Sequence, residues 1–318
     1  MIEMSEQRKR VLKIAYCEGI SSEGASVSKK LGIKNTTVNY ILEKLKEEKY
    51  YTRNRYELNL DSLGIGRFAW LFVSINRATF DENKFVAKAL GLPQVHTLAT
   101  TTGSYDYAIK IFGPSVQNIN AFILGFEKLF EGIISDTFIY FANTTYKRHF
   151  VKLGKEKLLK LKKVDSILLE ERTFNPKEKL SDIAKKYHLH RNTVSNRWNA
   201  LLENRVILKE TLDLTQKGYE AIGLGLKAFI VIKPTPGHEE RLVKVLLKEP
   251  KIQDLFSTLS NEIVAIVRTE NSQSLLDIHR LLFKMPNSIK YTDTLIFLSK
   301  HSRAGWTKTE IQNLLPTP

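Results

Sequence analysis

The sequence predicts an α+β protein assembled from one plan used twice: two winged helix-turn-helix units, each followed by a ferredoxin-like βαββαβ sandwich. Three observations carry this. "KNTTVNYILEKLKEEKYY" (Lys34–Tyr51) returns as "HRNTVSNRWNALLENRVI" (His190–Ile207), with Val38 and Val194 in equivalent places. A paired-glycine signal, "LGIG" (Leu63–Gly66) and "IGLG" (Ile222–Gly225), follows each copy and opens an apolar strand, "RFAWLFVSI" or "LKAFIVIK". Beyond each strand, helix-like and strand-like periodicities follow in the same order. A period near half the chain implies duplication of a whole two-domain unit rather than a solenoid.

The first head begins with "RKRVLKIAYCEG", which places Val11, Leu12, Ile14, Ala15 and Tyr16 at helical spacing. A second helix is expected around Ala25–Leu31, then the tight "LGIKN", then a third helix from about Asn35 to Glu48. Val38, Ile41, Leu42 and Leu45 form one apolar stripe on that third helix. The second head repeats this over Val164–Glu171, Leu180–Tyr187, the turn "HLHRN", and Val194, Arg197, Trp198 and Leu201. "YYTRNRYELNL" and "ILKETLDL" then read as a wing or exit strand.

In the first sandwich, helices are expected near Glu82–Leu90 and Ser115–Phe130, and strands near Gln94–Thr101, Asp106–Phe112 and Ile133–Phe141. Ile119, Phe122, Ile123, Phe126, Leu129 and Phe130 make the longer helix amphipathic, as Leu275, Ile278 and Leu282 do in the second half. The expected division is residues 1–60 and 61–150 for the first head and sandwich, 151–217 (with a linker) and 218–303 for the second pair, and 304–318 as a tail. The lysine-rich "TYKRHFVKLGKEKLLKLKK" between the halves reads as a helical or flexible connector with a solvated face.

Composition narrows the class. At 42% hydrophobic and 26% charged, the chain reads as globular and not disordered. No apolar run approaches the roughly 20 residues of a membrane helix, and "MIEMSEQRKR" lacks the apolar core of a signal peptide. One cysteine permits no intrachain disulfide, which fits a reducing cytoplasm. The net charge of +15 favours a polyanionic partner, nucleic acid or an anionic membrane, over a neutral one. The repeated helix pattern favours duplex DNA and no membrane.

A helix-turn-helix followed by a βαββαβ unit resembles the Lrp/AsnC (feast/famine) family of transcriptional regulators. The resemblance rests on the two helix patterns, on the glycine pairs, and on "TTTGSYDYAIKIFG" (Thr100–Gly113), which looks like the family's Thr-Gly-x-Tyr-Asp loop. It covers nearly the whole chain, twice. It implies an amino acid or related effector bound around Thr102, Gly103, Tyr105 and Asp106. The second sandwich departs from this pattern, with "STLSNEIVAIVRTE" (Ser257–Glu270) at the equivalent loop. The family pairs through its sheets, so a fused chain is expected to self-associate internally as a pseudo-dimer, with higher oligomers open.

Reading a major groove needs short polar or forked side chains near a helix N-terminus. Asn35, Thr36, Thr37, Asn39 and Tyr40 supply these in the first head; Arg191, Asn192, Thr193, Ser195, Asn196 and Arg197 do so in the second. Arg53 and Arg55 are expected at a wing tip on the phosphate backbone. Asn35 and Asn192 also suit helix capping, and Tyr40 and Trp198 suit packing better than base stacking. Gly103 permits a conformation that aims main-chain N–H groups at a carboxylate, and Asp106 suits an amino group, although an ordinary turn explains both.

The seven histidines are scattered and only His188 and His190 lie close, so no metal is expected, nor any cofactor. Cys17 falls near the apolar face of the first helix. With no phosphate loop, nucleophile elbow or paired carboxylates, the expectation is a regulator without enzymatic activity. Two alternatives stand beside it: an architectural DNA-coating protein, and a siroheme-decarboxylase-like enzyme on the same plan, for which no matching histidine/arginine set is evident.

Overall fold

The computed structural model describes residues 4–20, 24–59, 62, 67–154, 160–299 and 301–302. The first half runs α1 (Glu6–Cys17), α2 (Ala25–Leu31), α3 (Asn35–Glu47), β1 (Tyr51–Leu58), β2 (Arg67–Ile75), α4 (Glu82–Leu90), β3 (Val95–Thr100), β4 (Tyr107–Gly113), α5 (Val116–Leu129) and β5 (Ile134–Arg148). The second half supplies β6 (Val151–Lys152), α6 (Lys163–Phe174), α7 (Leu180–Lys186), α8 (Arg191–Glu203), β7 (Ile207–Leu214), α9 (Gln216–Ala221), β8 (Leu226–Pro234), α10 (Glu239–Leu246), β9 (Ile252–Thr258), β10 (Ile263–Thr269), α11 (Ser272–Phe283), β11 (Ile289–Phe297) and β12 (His301–Ser302). The α+β plan of two helical heads and two βαββαβ units is present. The "LGIG" turn and the 304–318 tail lie outside the described residues.

Two predicted features change. β5 extends to Arg148, well past the expected end at Phe141. The first residues of the lysine-rich connector are therefore strand, and Lys147, Arg148 and His149 are buried instead of forming a solvated face. The reason is pairing. The N-terminal part of β5 bonds β2, with Leu71 opposite Ile139, while its C-terminal part bonds β9, with Thr145 opposite Phe256.

That shared strand joins the two half-sheets into one ten-stranded sheet, ordered β11-β8-β10-β9-β5-β2-β4-β3-β12, with β6 beside β5. The ends meet as well. β12 pairs with β3, and Thr101 bridges Phe297 at the end of β11, so the sheet closes on itself. β2 is buried on both faces, which accounts for its nearly unbroken apolar run. Ala69, Leu71 and Val73 pack with Phe85, Ile119 and Phe126 of the covering helices. Phe68, Trp70 and Phe72 face inward, where Trp70 meets Phe229 at 5.6 Å and Phe68 meets Phe256 at 5.1 Å between ring centroids. Aromatic rings from both halves thus fill much of the interior.

The heads are exchanged across the duplication. β1 and β7 form their own two-stranded antiparallel sheet, Tyr56 opposite Glu210. The first head (Val11, Leu12, Val38, Leu45) packs on Leu212 and Leu214 of β7 and on Tyr219 of α9. The second (Leu168, Ile183, Val194, Leu201) packs on Tyr56 and Leu58 of β1. Each head therefore rests on the exit strand of the other half.

Candidate functional site

The helices expected to read DNA bury their apolar stripes and expose much of their polar faces. On α3, Val38, Ile41, Leu42 and Leu45 are buried, Thr36 and Tyr40 are exposed, and Asn35, Thr37 and Asn39 are half-buried. Tyr40 is 62% exposed, so it is not the packing residue its ring suggests, whereas Trp198 is buried against Tyr56. On α8, Arg191, Asn192, Thr193 and Asn196 are exposed and Ser195 is half-buried. The caps fall elsewhere than expected. His190, not Asn192, caps α8, its Nδ1 accepting from the Asn192 N–H at 3.3 Å. Asn35 lies one residue inside α3, and its side chain caps nothing. Asn39 and Leu42 of α3 and Trp198 and Leu202 of α8 line one groove, so the two helices flank a common cleft.

Three arginines are engaged within the molecule. Arg197 grips Asp165 in a bidentate pair, Nε to Oδ1 at 2.7 Å and Nη2 to Oδ2. Asp165 is fully buried and also accepts the Lys162 N–H that opens α6. The pair locks α8 to α6, and donating to the Asp165 carboxylate raises the Arg197 pKa. Arg53 and Arg55 do not sit at a wing tip, because among the described residues β1 pairs with β7 of the other half and forms no hairpin. Arg53 lies 3.6 Å from Asp213. Arg55 turns inward, donating to His149 Nε2 at 2.7 Å and lying 3.4 Å from Glu57. Burial would raise the Glu57 carboxyl, but the cationic side chains around it hold it well below the usual range.

The Thr102–Asp106 loop sits on the seam where the sheet closes. Thr102 donates its N–H to the Ile296 carbonyl at 2.9 Å and accepts the Ile296 N–H through Oγ1 at 3.2 Å. Gly103, at φ +100°, lies where an added Cβ would stand 3.3 Å from Leu295. Tyr105 packs on Phe72 and Phe138. The Asp106 carboxylate accepts from the Ile75 N–H at 2.9 Å and from Arg77 at 3.1 Å. The other seam answers it: Leu259 donates to Phe141, and Glu262 accepts from Lys233 at 2.9 Å and from Thr258. An acid paired with a cation therefore stands at both seams. The motif comparison missed this because the second loop is one residue shorter and its acid is a glutamate.

Sequence reasoning also missed Lys209 and the Lys147–His149 run, which are buried at the junction of heads and barrel. A basic residue inside an alternating strand, such as Lys209 in "ILKETLDL", was the available signal.

No protein-family profile matches the chain. Among curated proteins, the HTH-type transcriptional regulator FL11 of Pyrococcus horikoshii is 29% identical over 142 residues, spanning 44% of this chain and 91% of its own. An uncharacterized HTH-type transcriptional regulator of Pyrococcus abyssi is 30% identical over 121 residues, 38% of this chain and 77% of its own. Among solved structures, the siroheme decarboxylase NirDL matches along almost the full length, 97% of this chain and 98% of its own, with a TM-score of 0.62 at 12% identity. This last match corrects one expectation. The absence of enzymatic activity does not follow from the tandem plan, because the same arrangement houses an enzyme.

Proposed function

Since this chain belongs to the Lrp/AsnC family of helix-turn-helix transcriptional regulators, as two units fused in tandem, we propose that it binds specific duplex DNA through α3 and α8, with the two halves acting as a pseudo-dimer. The observation that carries this is the exposure of two unlike polar faces on otherwise well-packed helices. Thr36 and Tyr40, with half-buried Asn35, Thr37 and Asn39, form one face; Arg191, Asn192, Thr193, Ser195 and Asn196 form the other. Asn suits adenine, Arg suits guanine, and the hydroxyls suit phosphate or either base. Because the faces differ, the operator is an imperfect palindrome with unlike half-sites. The Thr102–Asp106 loop is the place for an amino-acid-like effector, since a ligand there touches both halves across the seam.

Genome-wide DNA pull-down with footprinting tests this reading. A discrete protected operator with affinity falling steeply as salt rises supports it. General coating of DNA points to an architectural protein instead, and affinity insensitive to salt overturns the phosphate-contact basis. Repeating the footprints with and without a panel of amino acids tests the effector.

A second reading, tetrapyrrole chemistry, draws on the full-length match to NirDL, which has also been solved with an iron-uroporphyrin III analogue. The barrel end does not favour it, since inward aromatic rings leave a cavity of about 90 Å3 there, far smaller than a macrocycle; the roomier cleft of about 900 Å3 lies between the heads and the β1–β7 ribbon, outside the barrel. Siroheme mixed with the purified protein and showing no change in its absorption spectrum removes this reading.

A further inference from the structure

The cavity between the barrel end and β1 has an unusual lining. Arg53, Arg55, Lys110, Arg148, Lys227 and Arg268 contribute six cations against two carboxylates, Glu57 and Asp254. Both carboxylates are already engaged. Glu57 lies 3.4 Å from both Arg55 and Arg148, and Asp254 accepts the His149 N–H at 2.8 Å. Lys110 and Lys227 place their ammonium groups over the inward rings, 4.7 Å from the centre of Phe68 and 4.5 Å from that of Phe297.

Three buried donors on this wall have no hydrogen-bond partner among the described residues: Arg55 Nε, Trp70 Nε1 and His149 Nδ1. Trp70 is 1% exposed and His149 5%. The histidine's tautomer follows from its neighbour. A guanidinium can only donate, so the imidazole accepts from Arg55 through Nε2 and carries its proton on Nδ1. Buried donors without acceptors are costly, and native proteins rarely leave three together. His149 and Phe150 also hold φ of +47° and +69°, a backbone conformation that non-glycine residues rarely adopt and that tends to cluster at ligand clamps. The volume of about 90 Å3 has room for several waters or one compact polyatomic ion.

We propose that this cavity is a binding site for a small oxyanion, a carboxylate or a phosphate, held by the N–H groups of Arg55, Trp70 and His149 inside a cationic wall. Water answers the donors alone, whereas an oxyanion answers them together with a lining on which cations outnumber carboxylates. The site is separate from the Thr102–Asp106 loop, and its walls come from both halves of the chain.

The indole N–H resonance of Trp70, assigned by its loss in Trp70→Phe, reports directly on one donor. The full chain, in zwitterionic low-chloride buffer without DNA, is titrated separately with inorganic phosphate and with succinate. The expected result is a saturable shift of that resonance with a dissociation constant of about 1 mM or tighter for at least one anion. Calorimetry should show the same binding, weakened about tenfold or more in Lys110→Met and in Lys227→Met. Saturation by phosphate alone, by succinate alone or by both assigns the natural ligand's class. No saturable shift with either anion overturns the site, as does binding unchanged in both lysine variants. If Trp70→Phe does not fold, calorimetry on the unsubstituted protein and the lysine variants decides alone. A protein that binds the anion but no operator defeats the DNA reading and leaves this one standing.

Discussion

Lys209, on β7, drives its ammonium into the last turn of α1, donating to the Cys17 carbonyl at 2.6 Å and to that of Tyr16 at 3.0 Å. A residue of the second half thus satisfies carbonyls of the first head. The contact has a pH signature. Burial pushes the Lys209 amine down to about 8, from an ordinary value of 10.5. Between those values the unfolded chain holds more protons than the folded one, so stability rises with pH. The slope is at most about 1.4 kcal/mol per pH unit. Burial also pushes the Cys17 thiol up to about 11, which opposes the trend above pH 9. Urea unfolding from pH 8 to 9 should show the rise, and Lys209→Met should be flatter. Equal slopes in the two proteins would refute the assignment.

The two arginines of α8 should separate cleanly. Arg197→Ala leaves the buried Asp165 carboxylate without its cation, and breaking such a pair costs about 3–5 kcal/mol. Arg191 is exposed, so Arg191→Ala should change stability by no more than about 0.5 kcal/mol. If Arg191 meets DNA as proposed, its loss is read in DNA binding, where one lost phosphate contact reduces the salt slope by about 1, or one lost guanine contact relaxes a single half-site. Denaturation and binding titrations on both variants settle the division.

Gly103→Ala tests the seam. A side chain at φ +100° is strained, and its Cβ would also press on Leu295 of the other half. A loss of about 1–3 kcal/mol is expected, read as a lower melting temperature. Hydrogen exchange should localise the damage, with faster exchange at the Thr102 and Ile296 amides, which bond across that seam. Unaltered exchange there would mean that the loop is not tied to β11.

Gly218→Ala should be more severe. A Cβ at this position of α9 would stand 2.0 Å from the Tyr50 carbonyl oxygen, a backbone atom that cannot swing aside. The first head must lift from α9, at a cost above the usual 1–3 kcal/mol of overpacking. Amides of α1 and α3 should lose protection while those of β8 and β10 keep theirs. Uniform loss throughout would show that head and barrel unfold as one unit.

The elements were legible where local pattern decides them. The stripe of Val38, Ile41, Leu42 and Leu45 fixes α3, and Glu82–Leu90 appears as expected for α4. What could not be read depends on partners remote in sequence. Nothing local in "TYKRHFVKL" says that Lys147 will be buried, because its strand is extended by pairing with β9, a hundred residues downstream. Arg55 has the composition of a wing residue, yet the β1–β7 pairing turns it toward Glu57 and His149. Charge alone does not distinguish an arginine that meets DNA from one that pins a helix, and Arg197 is the second kind because Asp165 lies beneath it.

β5 belongs to both half-sheets as one uninterrupted covalent strand. A pair of separate subunits would meet at this seam with a dissociation constant and would come apart on dilution. Here the union of halves is unimolecular, independent of how many copies the cell holds. Covalent fusion also frees the two heads from identity. In a homodimer every substitution is copied to both subunits, whereas in this chain a change at Arg191 leaves Thr36 untouched, so each head can drift toward its own preference.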